Sequence, residues 1–344
     1  MTVTSPAARA GRARPATLYL PRVALTRPTP RRAAQLALGV IWLIDAALQY
    51  QPYMFTKDFV TQQLAPTAGG NPWVIAQPIT WAAHVMVHHI AVYNALFASI
   101  QLLLALGLFW RPTVKVALAL SILWAIAVWW LGEGLGGVLA GGVDPFMGSP
   151  GAVILYAFIA VLVWPSPPRE TDRHAEVSPA ASGPLGPTLP RLGWLALWGS
   201  FAYQTVQPAV RSPSSLGVMV TEMGSGEPGW IQHMDTTLGR ALAGHGTEVS
   251  IASALLFAFI AIAVCIPPLT RLAVIIAAVG GLAILVAENF GEIFTGHGTD
   301  PNSGLLLVLL AALFWPLKEG RSGPACPRSA AEDAVGPAPT RFAP

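Results

Sequence analysis

Eight apolar runs divide this chain, and they constrain its fold more than any other feature. Only 11% of the residues are charged, against about 25% in a typical soluble chain, so lipid is expected to cover most of the surface. A helix needs about 20 residues to span a bilayer, and several of the runs are shorter than that. The pattern predicts an all-α, polytopic integral membrane protein with eight transmembrane helices. The runs cover residues 33–50, 88–110, 114–131, 150–165, 192–207, 248–266, 272–288 and 303–317.

Basic residues alternate between the connections that join these runs. If the runs all cross the membrane, 17 of the 20 Lys and Arg residues fall on one side, and only Lys57, Arg211 and Arg240 fall on the other. Because Lys and Arg are retained in cytoplasmic segments, both termini are predicted to be cytoplasmic in a multi-pass protein of the plasma membrane. The first 32 residues hold seven Arg and no apolar core, which is not typical of a cleaved signal peptide.

The two halves of the chain repeat one another. Trp42 matches Trp198 at an offset of 156 residues, and Trp164-Pro165 matches Trp315-Pro316 at an offset of 151. Four apolar runs fall in each half, and four is an even number, so both halves enter the membrane in the same direction. They are predicted to be two parallel four-helix repeats related by a pseudo-twofold axis along the membrane normal.

The repeats define the predicted domain organisation. The first repeat covers residues 33–165 and the second covers residues 192–317. A Pro- and Ser-rich cytoplasmic linker, residues 166–191, joins them. The basic tail 1–32, residues 167–190 of the linker and the tail 318–344 are rich in Pro, Ala, Ser and Gly and are expected to be disordered. A further amphipathic stretch, residues 72–89, is expected to form a helix in the membrane interface.

Each repeat closes its third apolar run with a carboxylate and a Gly-rich bend. Glu133 and Glu288 open the two bends at an offset of 155 residues, and Glu292 follows Glu288 at helical i, i+4 spacing. Carboxylates near a bilayer cost free energy unless they are paired or hydrated, so they are candidate functional residues. They could equally accept hydrogen bonds from the backbone of the bends. Asp144 and Asp300 each precede a Pro and are predicted to form turns.

Asp45 is the only acid well inside an apolar run. The second repeat has Phe201 at the matching position, so the duplication did not preserve it. A lone intramembrane Asp indicates either a proton- or ion-linked step or a hydrogen bond to a neighbouring helix. Asn94 and Gln101 of the second run are the candidate partners. Asp45, Glu133, Glu288 and Glu292 are the candidate catalytic residues.

Imidazole and thioether groups concentrate on the predicted outer side. Six of the seven His residues and all six Met residues after the initiator lie there, and together these ligands suit copper, with Met favouring Cu(I). His84 and His88 share a helix face by their i, i+4 spacing, and His88 matches His245 in the second repeat. The candidate metal ligands are His84, Met86, His88 and His245. The alternatives are gap-filling Met and hydrogen-bonded His.

Other site types are excluded by the sequence. The two Cys residues lie far apart and form no C-x-x-C pair, so a disulfide framework and a thiolate zinc site are not expected. No phosphate-binding loop follows a strand, and no G-x-S-x-G or H-E-x-x-H motif occurs. No basic stretch is interleaved with aromatic residues, so nucleic acid is not an expected partner.

Two membrane families resemble this chain. The stretch Trp42-Leu43-Ile44-Asp45-Ala46-Ala47-Leu48-Gln49 and the basic turn Trp110-Arg111-Pro112 resemble DoxX-like proteins. That resemblance covers each repeat once and implies a four-helix membrane unit, linked in some members to quinone-dependent oxidation of sulfur compounds. The duplicated layout is also similar to haem A synthase, whose two four-helix halves hold haem through histidine pairs. Of such pairs, only His88 and His245 match here.

These observations favour redox or metal handling at the outer face, with copper or haem b held near His88 and His245. In that interpretation a quinone or a respiratory or envelope membrane complex is the partner, beside the lipid bilayer. The first alternative is a small-solute or ion transporter in which Asp45 is the coupling residue. The second is a non-catalytic scaffold or assembly subunit. The sequence alone does not decide among the three.

Overall fold

The computed structural model describes residues 28–141, 144–166, 178–208 and 212–317. These residues form eleven α-helices joined by turns and short 3-10 or π segments. Each of the eight apolar runs contains one helix, and three further helices lie in the two long connections of the predicted outer side. The helices are α1 (Pro30–Gln49), α2 (Trp73–His88), α3 (Ile90–Phe109), α4 (Val114–Leu131), α5 (Ala152–Leu162), α6 (Thr188–Thr205), α7 (Ser215–Met223), α8 (Gly229–Leu242), α9 (Gly246–Ala263), α10 (Thr270–Ala287) and α11 (Asn302–Phe314).

Four of the described helices, α3, α4, α9 and α10, are long and apolar enough to cross a membrane. Helices α5 and α11 have 11 and 13 residues. At 1.5 Å per residue they are about 17–20 Å long, short of the about 30 Å hydrocarbon core. Helices α1 and α6 are longer but carry Arg and Gln, and α1 also carries Asp. The chain is thus an all-helical protein with four helices of membrane-spanning character.

In the first half, α1 packs antiparallel against α3 over its whole length. At one end, Asn94 donates from Nδ2 to the backbone oxygen of Gln49 at 2.8 Å. At the other end, Arg32 donates to the backbone oxygens of Leu108 at 2.8 Å and Phe109 at 2.6 Å. Arg32 thereby satisfies carbonyls at the C-terminus of α3 that have no partner within the helix.

The second half pairs its helices in the same manner. Helix α6 packs antiparallel on α9, and the indole of Trp194 donates to the backbone oxygen of Ile260 at 2.9 Å. Helices α10 and α11 approach closely where two glycines meet: a Cβ on Gly304 would lie 2.6 Å from the backbone oxygen of Gly281. Small residues allow such a backbone contact between apolar helices.

The end of the bundle where α1 and α6 begin, here called the basic end, is closed by residues of the linker. Arg31 donates to Ser166 Oγ at 2.9 Å and to Ser182 Oγ at 2.8 Å, and the backbone N–H of Ala180 donates to the oxygen of Leu313. The described part of the linker, from residue 178 onward, is therefore ordered against the bundle. This differs from the predicted disorder, because Arg31 supplies donors to its backbone and hydroxyl oxygens. The tails 1–27 and 318–344 and residues 167–177 lie outside the described residues.

The opposite end, here called the bend end, carries the two Gly-rich segments. The first bend covers residues 132–141 and the second covers residues 288–298. Both turn through left-handed backbone at equivalent positions, with φ of 61° at Gly136 and 71° at Gly291. A Cβ would lie 1.9 Å from the oxygen of Pro150 at Gly136 and 2.1 Å from the oxygen of Asp300 at Gly291. Only glycine fits either place.

The long connections at the bend end also form helices. The interfacial helix predicted for residues 72–89 is α2, which exposes Trp73 and Trp81 on its surface while Ile79 and Met86 are buried. In the second half, α7 and α8 pack against each other as a helical hairpin. The core between the two halves lies where α5 and α11 meet, since both helices are buried along most of their length.

Candidate functional site

Asp45 is held in the core of the first half by a residue of α5. Its side chain is 2% exposed, and the Tyr156 hydroxyl donates to Oδ2. The second oxygen, Oδ1, has no hydrogen-bond partner among the described residues. Trp42 stacks on Tyr156 with ring centroids 4.2 Å apart and donates from its indole to Ser121 Oγ at 2.9 Å. Asp45 is therefore a fixed, buried carboxyl with one free acceptor.

The partners expected for Asp45 from the sequence were wrong. Asn94 exchanges hydrogen bonds with Gln49, one helical turn beyond Asp45 on α1. The side-chain oxygen of Gln101 is buried with no partner among the described residues. Tyr156 is the actual donor, 111 residues away in sequence, because α5 rather than α3 faces the middle of α1 on that side.

Glu133 points from the end of α4 to the beginning of α5. Its carboxyl accepts hydrogen bonds from the backbone N–H groups of Ala152 and Val153, which are free donors in the first turn of a helix. Gly151 makes this approach possible, since a Cβ there would lie 2.0 Å from Oε2. Oε2 is buried and has no partner in the described part of the chain. Burial, and next the charge of Asp300, raise the pKa of Glu133.

Glu288 occupies the equivalent place in the second half, between α10 and α11. It accepts from the backbone N–H of Ser303 and lies 3.5 Å from the Ser303 hydroxyl. The backbone N–H of Gly148, which belongs to the first half, also stabilises its charged form. Burial, followed by the charge of Asp300, raises the pKa of Glu288 to about 8. Burial thus favours the protonated form of Glu288.

Asp300 links these carboxyls electrostatically. As the Asp-Pro pattern predicted, it forms a turn, accepting from the backbone N–H of Asn302 at 2.8 Å, as Asp144 does from Phe146 at 2.8 Å. The Asp300 charge acts on Asp45, Glu133 and Glu288. Its own pKa is raised by burial. Asp45, Glu133, Glu288 and Asp300 are called the carboxyl cluster below.

Glu292 lies outside this group. Glu288 and Glu292 were predicted to share a helix face, but the chain between them turns through left-handed backbone, with φ of 58° at Phe290 and 56° at Glu292. Glu288 is consequently 8% exposed, whereas the Glu292 side chain is exposed. The i, i+4 spacing does not place the two carboxyls on one face, because the segment that joins them is a bend and not a helix.

A further buried acid, Asp235 of α8, was not identified from the sequence. It accepts from Asn289 Nδ2 at 3.0 Å, and the same amide donates to the backbone oxygen of Met223 at 2.9 Å. Burial raises the pKa of Asp235. The sequence spacing could have indicated its burial, because Ile231, Asp235 and Gly239 recur every four residues and form the buried face of α8.

The predicted metal ligands are dispersed over two faces of the structure. The His84 and His88 rings stand edge to face with centroids 5.3 Å apart on the exposed side of α2. Met86 is buried in an apolar cluster with Met54 and Phe59. His245 immediately precedes α9 and is exposed, with Nδ1 3.2 Å from the backbone oxygen of Ala243. Among the described residues, no group of three or more His, Cys, Asp or Glu side chains is placed to hold a metal ion.

The chain matches no protein-family model, no curated protein and no solved structure. Function is therefore judged from the geometry of the site. Within the described residues, the feature with the strongest chemical character is the carboxyl cluster, because four acidic side chains interact there through their charges. Such a group can hold and release protons.

Proposed function

We propose that this protein is an integral membrane transporter that couples proton binding at the carboxyl cluster to the movement of a small solute or ion. The observation that supports this most directly is Asp45. It is buried between α1 and α5, has one oxygen without a partner among the described residues, and lies close enough to Asp300 and Glu133 for their charges to interact. An ionisable residue in such a position is a functional candidate by default.

The surroundings of the cluster favour a proton as the coupling ion. The groups that shift the pKa of Glu133 and Glu288 are other carboxyls, backbone N–H groups and one hydroxyl. Hydrogen bonds from these donors stabilise the charged form, while burial and the neighbouring carboxyl oppose it. The balance of these effects raises the pKa of Glu288 to about 8, so a change in pH near that value is expected to change its charge.

We further propose that all eight helices in the apolar runs cross the membrane, as two parallel four-helix repeats. The matching left-handed turns at Gly136 and Gly291 and the equivalent positions of Glu133 and Glu288 support this arrangement. The short helices α5 and α11 reach across because the bends that precede them fill the remaining depth. Backbone in a bend is tolerated at that depth when it is buried in protein.

The orientation proposed for these repeats places the basic end in the cytoplasm of a plasma-membrane protein. Arg31 and Arg32 lie at that end, and so do Arg111, Arg191 and Arg271 at helix ends there. An excess of Arg on the cytoplasmic side is the general rule for membrane helices. The carboxyl cluster then lies toward the outer side of the bilayer, from which protons enter.

Proton movement in liposomes tests the proposal. The full chain is reconstituted into vesicles that contain a pH-sensitive dye. The outside solution is then made more acidic than the lumen, with valinomycin present. Wild-type protein is expected to acidify the lumen, and Asp45→Asn, which keeps an acceptor for Tyr156, is expected to lose this activity. Asp58→Asn, which changes an exposed acid, serves as the matched control. Equal proton movement in wild type, Asp45→Asn and protein-free vesicles would contradict the proposal.

Redox or metal handling is the second candidate, and the His84–His88 pair on α2 favours it. Two imidazoles at that separation could ligate one copper ion, with quinone or a respiratory complex as the partner at the outer face. Metal analysis and an absorption spectrum of the purified protein test it. Stoichiometric copper or a Soret band that disappears in His88→Ala supports this function, and a colourless, metal-free protein counts against it.

A further inference from the structure

A cavity of about 610 Å³ opens at the bend end, between α7 and Met147 of the first half of the chain. It is separate from the carboxyl cluster and shares no residue with it. Its most distinctive feature is three methionines. The lining residues are Met147, Ser214, Ser215, Val218, Met219, Glu222 and Met223.

The fold brings the three methionines together from both halves. Met219 and Met223 are four residues apart on α7, so their side chains lie on one helix face about 5–6 Å apart at Cβ. Met147 ends the 3-10 segment Pro145–Met147, which follows the first bend. Sequence spacing alone does not associate Met147 with the other two, since more than 70 residues separate them.

Gap-filling does not explain these methionines. Met54 and Met86 show what a packing methionine looks like in this protein: they are 0% and 7% exposed inside an apolar cluster. Met147, in contrast, is 52% exposed, and Met219 and Met223 are partly exposed to the same cavity. A methionine that only fills a gap in a core has its thioether enclosed.

We propose that this cavity binds a monovalent copper ion through the thioethers of Met147, Met219 and Met223. Soft thioether ligands select Cu(I) over harder cations such as Zn²⁺ or Ca²⁺. Flexible methionine side chains can close around an ion that enters from the open side. Glu222 at the rim supplies a negative charge that attracts the cation. This site does not depend on the proton-linked function, nor on His84 and His88.

Silver titration of the full chain in detergent tests the site, because Ag(I) is a redox-stable substitute for Cu(I). Every protein tested, wild type included, carries Cys265→Ser and Cys326→Ser, because thiols bind Ag(I) more tightly than thioethers and Cys265 is exposed. Wild-type protein is expected to bind one Ag(I) at this site. The triple variant Met147→Leu, Met219→Leu and Met223→Leu conserves side-chain volume and is expected to lose that binding. Each single substitution is expected to raise the Kd for Ag(I) by about tenfold or more, a loss of affinity typical of altered metal sites.

Two controls make the result specific. The double variant Met54→Leu and Met86→Leu removes thioethers from the apolar cluster and is expected to bind Ag(I) as wild type does. His84→Ala with His88→Ala is expected to do the same. Monodisperse gel filtration shows that each variant is folded. Silver binding that persists in the triple variant, that is lost with the histidines, or that is missing from wild type overturns the proposal, whatever the outcome of the proton measurements.

Discussion

The Tyr156 hydroxyl on α5 donates a hydrogen bond to Oδ2 of Asp45 on α1. Both side chains are almost completely buried, at 1% and 2% exposed. The second half has Phe201 where the first half has Asp45, so the polar contact belongs to one half only. The bond therefore marks a place where the two halves of the chain differ in chemistry.

Removing this donor is expected to destabilise the protein. Tyr156→Phe keeps the ring against Trp42 but leaves Asp45 without its described donor, and an unsatisfied buried polar group costs about 1–3 kcal/mol. Thermal unfolding in detergent measures the change. Tyr203→Phe, which alters a tyrosine that is 67% exposed on α6, should have no measurable effect. A Tyr156→Phe midpoint equal to that of wild type would show that the bond contributes nothing to stability.

The raised pKa of Glu288 predicts a pH-dependent stability. Between the ordinary value of 4.5 and about 8, the folded protein keeps a proton on Glu288 that the unfolded chain has released. The free energy of unfolding therefore falls as the pH rises through this window and levels off above it. The expected slope from this one group is about 1.4 kcal/mol per pH unit at most.

Glu288→Gln removes this contribution because Gln stays neutral. Its unfolding midpoint is expected to depend less on pH between about 5 and 8 than that of wild type. At about pH 8, roughly the top of the titration window, its midpoint is expected to be higher than that of wild type. Glu292→Gln changes an exposed carboxyl of the same bend and should leave the wild-type slope in place. Identical slopes for wild type and Glu288→Gln would mean that Glu288 is ionised in the folded protein.

The first bend is expected to tolerate alanine at one glycine and not at another. Gly136 and Gly141 have φ of 61° and 79°. A Cβ at Gly136 would lie 1.9 Å from the oxygen of Pro150, whereas nothing lies within 4 Å of a Cβ at Gly141. Gly141→Ala thus carries only the left-handed strain of about 1–2 kcal/mol. Gly136→Ala adds a backbone clash and should cost about 3 kcal/mol or more.

The yield of folded protein in gel filtration and its unfolding midpoint measure this difference. Because both variants add one methyl group at positive φ, the strain is matched and the contrast isolates the contact with Pro150. Equal losses in the two variants would contradict the close approach of the bend to the segment before α5.

The proposed orientation predicts which thiols a membrane-impermeant reagent reaches. Cys265 is an exposed cysteine after α9, at the basic end, so in a Cys326→Ser background it should react only after cells are opened. Ser225 is exposed at the bend end, after α7. Ser225→Cys with both native cysteines replaced should react in intact cells. The reverse pattern of labelling would invert the proposed topology.

The sequence predicted the helical elements well because apolar runs of this length have few alternatives. All eight runs contain helices, and the interfacial helix at residues 72–89 was also predicted. The bends were predictable in place, since Gly136 and Gly291 recur in a duplicated pattern. The burial of Glu288 and the exposure of Glu292 were not, because left-handed backbone at Phe290 changes the side on which the second carboxyl lies.

Side-chain partners between distant helices could not be predicted from the sequence. In an apolar helix such as α3, polar residues have several faces available, and the hydrophobic pattern does not show which face meets α1. Asn94 and Gln101 were thus the candidate partners of Asp45, and Tyr156 was not among them. Nothing local connects Met147 with α7 either, because the cavity exists only once both halves are folded.

The backbone N–H of Gly148 stabilises the charged form of Glu288, although the two residues belong to different halves of the chain. Hydrogen bonds to an ionised carboxylate are about twice as strong as those to a neutral group. A proton bound at Glu288 would therefore weaken this contact between the halves, and loss of the proton would strengthen it.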